Sequence, residues 1–473
     1  MSQITIVALV IFAITYVLML IFQKIRPYIV GVSALLFVGL GVIATLKPDL
    51  FGAEFFNVGD GVYTYGILDA LKNIDWNVIM MIAGTMGTVY LFIESKMPQL
   101  LSDVLISKMP NVKWVVVVIS LFAGIVSAFV DNVATVLMIA PVALAFCKKL
   151  NISPVASIIC IAVSSNLQGA ATLVGDTTSI LLGKAANLDF SSFFVDKALD
   201  GSSKPGMFWV VEAGAIVAAL IILFMFRKEK GKISFKGETK VEDYFPTILL
   251  VGTVVALIGV SFIPYYQGEG DFRFFEQTAD GLKIYKPDIT NGILCIAIFL
   301  IGAFRELVIK KNKAVVKNAF KEIDYYTIAL LTFLFIVIGG IESAGVVDVI
   351  GNVIKNLGGG SPFLVFTIIV WASVILSAFI DNIPYTATML AIVPVIAEGF
   401  PGMDPKLLYY GLLCGATLGG NLTPIGASAN IAGIGILRKE GHEVKSTTFM
   451  KYGVPFTLAA VITGYLLLWF IWG

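Results

Sequence analysis

Ser127-Ala-Phe-Val-Asp131-Asn132 and Ser377-Ala-Phe-Ile-Asp381-Asn382 are nearly the same six residues, 250 positions apart. Each interrupts the middle of a long apolar segment, 114–147 in one case and 362–397 in the other. Both segments are too long for a single crossing, since about 20 helical residues span the hydrocarbon core. Asp and Asn compete with the helix for backbone hydrogen bonds, so each pair marks a bend. Each segment therefore reads as a hairpin that enters and leaves the membrane on one side, with its tip at the Asp-Asn pair.

Outward from the tips, the two halves go on matching. Asp75-Trp-Asn-Val-Ile79 reads against Asp324-Tyr-Tyr-Thr-Ile328, and Thr172-Leu-Val-Gly175-Asp176 against Thr423-Pro-Ile-Gly426-Ala427. An Asn-Leu pair precedes the last string in both halves, Asn166-Leu167 and Asn421-Leu422. Apolar runs place spans at about 4–22, 28–46, 76–93, 154–183, 207–226, 244–263, 289–308, 325–341, 408–437 and 453–472. The expected fold is an all-α integral membrane protein of ten spans and two re-entrant hairpins. Residues 1–226 form a first repeat with hairpin 114–147 and a broken span at 154–183. Residues 227–243 form a cytoplasmic linker, and 244–473 a second repeat with hairpin 362–397 and a broken span at 408–437. Five crossings is an odd number, so the second repeat is inverted. Inverted repeats with sites at broken helices are the layout of many secondary transporters.

Composition agrees with a bilayer as the solvent. Of 473 residues, 58% are hydrophobic and 14% charged, against about 25% charged in soluble domains. Mean hydropathy is +0.91. The net charge of +1 gives no reason to expect a nucleic-acid partner. Cys147, Cys160, Cys295 and Cys414 sit in or beside apolar runs and read as small core residues. His442 is the lone histidine, which excludes a histidine-rich metal site and a Ser-His-Asp arrangement. Leu173-Val-Gly-Asp176 is loosely like the Gly-x-Gly-Asp of intramembrane aspartyl proteases, but Leu occupies the first Gly position and no Tyr-Asp partner lies within a span. The chain is read as a transporter, not an enzyme, with no cofactor beyond a coupling ion. The first apolar run, Ile4–Phe22, has no basic residue before it and reads as a span, not a cleavable signal.

Loop charges test the topology. Lys24, Arg26, 94–113, 148–149, 227–243, 305–324 and 438–451 together hold 23 Lys/Arg and 11 Asp/Glu. The opposite loops, 47–75, 184–206 with Glu212, 264–288, 342–361 and 398–406, hold 10 and 18. The first set is therefore read as cytoplasmic, with both termini outside a plasma membrane. Were either hairpin a full span, the bias would largely cancel. Glu94, Glu212 and Glu342 read as interfacial, and 99–108 and 346–357 as segments lying along the interface.

Three acids remain, Asp131, Asp176 and Asp381, all deep in the membrane by this reading. A charge there costs roughly 2.5–3.5 kcal/mol on insertion scales and marks function by default. The stretches Ser164–Asp176 and Gly419–Asn430 are rich in helix breakers and read as unwound. Unwound backbone frees carbonyls for a cation and creates half-helix N-termini for an anion. Asp131 and Asn132 are expected to meet Asn166, Thr172, Gly175 and Asp176, while Asp381 and Asn382 meet Asn421, Thr423, Gly426 and Ser428. Asp131, Asn132, Asp381 and Asn382 are the expected Na+ ligands. A buried Asp can also hold a proton, and a carboxylate that takes Na+ or H+ but not both gives exchange. The structural alternative is that each Asp caps a helix, the stronger alternative at Asp176, whose counterpart is Ala427. The function expected is secondary Na+/H+ exchange. The alternatives are cation-coupled transport of an anion (dicarboxylate- or citrate-like), arsenite export, or a passive channel.

The strings Ser127–Val142, Gly169–Gly183, Ser377–Val395 and Gly419–Gly433 resemble the ion transporter superfamily over nearly the whole chain. The nearest branch is similar to the arsenite permease/sodium–proton antiporter group, which is citrate-transporter-like, and within it to relatives of the melanosomal P protein. The resemblance implies a homodimer in which each protomer has a scaffold and a transport domain moving as an elevator. Dicarboxylate/sodium symporters of the superfamily carry Ser-Asn-Thr at both tips, whereas Asp131-Asn132-Val133 and Asp381-Asn382-Ile383 lack those hydroxyls. Gly175-Asp-Thr-Thr-Ser also departs from the Gly-Asp-Pro-Pro-Asn of many relatives.

Overall fold

The computed structural model of the chain describes residues 1–52, 54–59, 61–229, 231, 239–266, 274–278 and 281–473. Residues 230 and 232–238 of the expected linker, and 267–273 and 279–280 of the 264–288 loop, lie outside the described residues.

The apolar runs fold as helices, and their order repeats. The first half contains α1 (Gln3–Ile21), α2 (Arg26–Leu46), α3 (Ile67–Asn73), α4 (Trp76–Glu94), α5 (Met97–Ser107), α6 (Val112–Ser127), α7 (Asn132–Leu150), α8 (Val155–Gly169), α9 (Thr177–Ala185) and α10 (Met207–Met225). The second contains α11 (Phe245–Ser261), α12 (Thr290–Phe304), α13 (Lys313–Lys321), α14 (Tyr325–Ser343), α15 (Val346–Leu357), α16 (Pro362–Ser377), α17 (Asn382–Glu398), α18 (Pro405–Gly419), α19 (Ser428–Lys439) and α20 (Ser446–Trp472). Matching helices agree in length: α4 and α14 have 19 residues, α6 and α16 have 16, α8 and α18 have 15. Their starts agree in chemistry too. Asp75 caps α4 by accepting the Val78 N–H, and Asp324 caps α14 by accepting that of Thr327. Among the described residues, three short antiparallel strand pairs, Asn57–Val58 with Gly61–Val62, Val195–Lys197 with Ser203–Pro205 and Phe275–Thr278 with Gly281–Ile284, add β structure to the acid-rich loops.

Among the described residues, eight helices are long and apolar enough to cross a membrane, or nine if α15 and α16, bent by 117°, count as one. Seven of the eight fall on expected spans, and the eighth is α7, the second arm of the first expected hairpin, which at 19 residues is long enough to cross. The three expected spans without such a helix have a local cause. The expected spans 154–183 and 408–437 are each divided into two helices of at most 15 residues, and α11 has 17. At 1.5 Å per residue, none of these pieces alone traverses about 30 Å of hydrocarbon. Each expected hairpin is a helix pair, α6–α7 and α16–α17, joined at residues 128–131 and 378–381.

The breaks are shorter than expected. Ser164–Gly169 remains helical as the end of α8, and only 170–176 is non-helical. Likewise α18 runs to Gly419, a 3-10 turn follows at Gly420–Leu422, and α19 begins at Ser428. The polar side chains of 164–169 do not unwind their own helix because they are bonded to other elements. Ser165 donates to the Asn132 carbonyl at 2.9 Å, and Gln168 to both Glu212 oxygens at 2.9 and 3.0 Å. Glu212, expected at the interface, is half-buried against Gln168.

Helices pack reciprocally between the halves, α2 on α14 and α12 on α4. The second contact depends on small residues, as close helix packing in membranes does. A Cβ on Gly84 would lie 2.4 Å from the Cys295 carbonyl carbon. The outward faces of α1 and α11 expose Ile6, Val10, Ile14, Val17, Ile248, Val251 and Val255, apolar side chains suited to lipid. All four cysteines are free and buried.

Candidate functional site

Each tip is tied to the break of its own half by the same bonds. Thr172 Oγ1 donates to the Ala128 carbonyl, and Thr423 Oγ1 to the Ala378 carbonyl at 2.5 Å. Gly175 lies against the carbonyls of Gly169, Ser127 and Ala128, at 2.5, 2.7 and 2.8 Å from where a Cβ would stand. Gly426 lies against those of Gly420, Ala378 and Ser377, at 2.6, 2.9 and 2.9 Å. These four residues are the latch between tip and break, and their polar contacts go to backbone.

The Asn-Leu pairs are not equivalent positions. Asn166 is inside α8 and Asn421 is in the turn after α18. They join the two halves instead. Asn132 Nδ2 donates to Asn166 Oδ1 at 3.0 Å, and Asn166 Nδ2 donates to Asn421 Oδ1 at 3.1 Å and to the Thr417 carbonyl at 2.7 Å. Asn421 Nδ2 donates to the Val163 carbonyl at 2.9 Å. This fully buried amide chain runs from the first tip to the second break, and buried amides hold their place only when satisfied in this way.

A cavity of about 350 Å³ opens beside the chain of amides. It brings together Asp131, Asn132, Asp176, Asn382 and Ser428 among the expected site residues. Asn166, Thr172, Gly175, Asp381, Asn421, Thr423 and Gly426 do not line it. Its other polar walls are Glu322, Asp324, Thr177, Thr327 and Tyr90, and its apolar walls include Met86, Val89 and Leu137. Glu322 is exposed at the mouth and Asp176 buried within. Among the described residues, four carboxylates thus line the cavity and no Lys or Arg does.

The three membrane acids differ in their partners. Asp131 Oδ1 caps α7, accepting the Val133 and Ala134 N–H groups at 3.0 and 3.1 Å. Asp381 Oδ1 caps α17 through Ile383 N–H at 3.2 Å. Asp176, the stronger capping candidate on sequence grounds, makes no side-chain cap on α9. Its Oδ2 accepts Thr178 Oγ1 at 2.7 Å, and Thr178 is in turn 3.0 Å from Thr417 Oγ1.

Asp381 does not face the shared cavity, so the two tip acids do not form one pair. Its Oδ2 is 2.6 Å from Arg26 Nη1. Arg26, which by sequence reads as an orientation charge in a loop, is buried at the start of α2. Glu322 and Asp324 likewise read as loop charges by sequence. The capping position of Asp324 before an apolar run was the available signal that it stands at a helix end. Ser127 Oγ is buried without a hydrogen-bond partner, although its counterpart Ser377 donates to the Ala416 carbonyl at 2.5 Å.

The chain matches the CitMHS citrate transporter family over residues 16–402 and 284–473. An uncharacterized transporter of Mycobacterium tuberculosis is 26% identical over 434 residues, covering 90% of this chain and 92% of that one. The human P protein is 24% identical over 415 residues, 74% of this chain and 48% of its own length. Among solved structures, the YdaH transporter of Alcanivorax borkumensis aligns with a TM-score of 0.55 at 14% identity, covering 93% of this chain and 97% of that chain. MtrF of Neisseria gonorrhoeae, described as one of a class of antimetabolite efflux pumps, aligns at 0.55 and 16% identity, covering 93% and 94%. These two likenesses concern the fold alone. With a family match across nearly its whole length and at least eight membrane-length helices, the chain belongs to the CitMHS citrate transporter family of the ion transporter superfamily and is a multi-pass secondary transporter.

Proposed function

We propose that the chain exchanges Na+ for H+ across the plasma membrane, with Asp131 and Asp176 as the carboxylates that take one ion or the other. The observation that carries this reading is the charge of the cavity: among the described residues, Asp131, Asp176, Glu322 and Asp324 line it without a Lys or Arg. Asp176 is buried and Asp131 and Asp324 half-buried, and carboxylates gathered in such a place destabilise one another's charged forms. Either a proton or a hard cation relieves that repulsion, and a carboxylate oxygen cannot hold both at once. Asn132, Asn382 and Ser428 add oxygen ligands on the same walls. By the loop charges, the mouth at Glu322 opens to the cytoplasm. The superfamily resemblance adds inverted repeats, a homodimer, and an elevator movement that carries the tips between the two sides.

A second reading is favoured by the family description and by the size of the cavity, about 350 Å³, which suits a small organic anion such as citrate. Such an anion meets four like charges, so it would need bound cations or protons to enter.

Proton flux driven by a Na+ gradient is measured in proteoliposomes with the wild type, Asp131→Asn and Asp176→Asn. The expected result is flux in the wild type and its loss in both variants. Full activity in both variants refutes the mechanism. Citrate uptake with no Na+-dependent proton flux establishes the second reading instead.

A further inference from the structure

The two tips share a sequence and an elbow, but their carboxylates have different partners. At the first, Asp131 caps its helix and faces the acidic cavity. At the second, Asp381 caps its helix with Oδ1 while Oδ2 meets Arg26 Nη1 at 2.6 Å. Arg26 is itself fixed, its Nε donating to the Met19 carbonyl at 3.1 Å. The same α1–α2 corner holds the second tip through Tyr16, whose hydroxyl donates to the Pro384 carbonyl at 2.7 Å and bonds Thr388. The side chains of Arg26 and Asp381 are 10% and 19% exposed. The void beside them is about 10 Å³, lined by Tyr16, Met19, Leu20, Ile380 and Pro384. A single water needs about that much room, so a cation with its ligands does not fit there.

We infer that Arg26 is a built-in counter-cation, taking at the second tip the place that a transported cation takes at the first. This rests on the cation-exchange reading above. It turns a duplicated pair of tips into one ion site per chain: Asp131 is left open to the cavity, and Asp381 is neutralised by a group that cannot leave. The duplication of the sequence then does not duplicate the stoichiometry. A charged pair out of bulk water tolerates loss of both partners far better than loss of one, because a single deletion leaves a bare charge.

The test compares the wild type with Arg26→Gln, Asp381→Asn and the double variant R26Q/D381N, by equilibrium binding of radioactive Na+ to purified protein and by Na+-driven proton flux in proteoliposomes. The expected results are one Na+ per wild-type chain, a fall in flux of about tenfold or more in each single variant, and recovery in the neutral double variant to within about threefold of wild type. Two Na+ per wild-type chain overturns the inference, as does a folded double variant no more active than Asp381→Asn. If the variants do not fold, the wild-type stoichiometry decides alone. A wild type that neither binds Na+ nor couples it to protons removes the exchange reading and this inference with it. One site in the wild type with an inactive, folded double variant removes only this inference.

Discussion

Replacing Gly175 by Ala tests the latch on which the site depends. The added Cβ would stand 2.5, 2.7 and 2.8 Å from the carbonyl oxygens of Gly169, Ser127 and Ala128. Ordinary carbon–oxygen approaches are about 3.3–3.6 Å, so the first tip must retreat by roughly half an ångström or more. All three obstacles are backbone, and none can rotate away. The retreat also pulls the Ala128 carbonyl from Thr172 Oγ1. Overpacking costs about 1–3 kcal/mol, and a stranded buried hydrogen-bonding group about 1–3 kcal/mol more. The expected loss is at least about 2 kcal/mol, roughly thirtyfold in the folding equilibrium. Unfolding in mixed SDS–detergent micelles, followed by tryptophan fluorescence, measures it. Gly426→Ala meets carbonyls at 2.6, 2.9 and 2.9 Å and is expected to lose as much. Gly252 in α11 has nothing within 4 Å of its Cβ position, so Gly252→Ala is expected to be neutral or to gain up to about 1 kcal/mol. A Gly175→Ala protein as stable as wild type, or a Gly252→Ala protein as damaged as Gly175→Ala, refutes the reasoning.

Asn166→Ala and Asn421→Ala each strand buried amide or carbonyl partners and are expected to cost about 1–3 kcal/mol. The double variant should lose less than the sum by about 0.5 kcal/mol or more, since the two share a bond; strict additivity in the same unfolding assay would deny the link between the halves. Asp243, in the loop before α11, receives Arg305 Nη1 at 2.7 Å, Lys310 Nζ and the Phe245 N–H. Burial alone would raise its carboxyl, but these donors outweigh burial and hold it well below the usual carboxylate range. The folded form therefore keeps this charge more strongly than the unfolded form. The stability it adds is complete above the unfolded value of about 3.9 and is lost as pH falls below it. Melting curves of Asp243→Asn are expected to show weaker acid dependence below about pH 4 than wild type; equal slopes would remove the ion cluster as the cause.

Much of the fold was legible locally. A run of apolar residues, an Asp-Asn pair inside it, or a Gly-rich string states its preference within one or two helical turns. That is why helix pairs meet around Asp131 and Asp381, why an interruption falls inside each of the expected stretches 164–176 and 419–430, and why the order of elements repeats as the strings do. The extent of each break was not legible, because whether Ser165, Asn166 and Gln168 bond their own backbone or a distant element depends on what packs beside them.

The sequence alone determined a membrane-embedded helical chain with two bends bearing carboxylates, because hydrophobicity and helix breaking are properties of neighbouring residues. Only the tertiary structure decided which carboxylates share a cavity. Arg26 meets Asp381 across 355 positions, and Asp324 joins Asp131 from the other half of the chain. The field at a carboxylate is made by whatever charge packing brings within a few ångströms, and Coulomb energy depends on that distance and on excluded water, not on position along the chain.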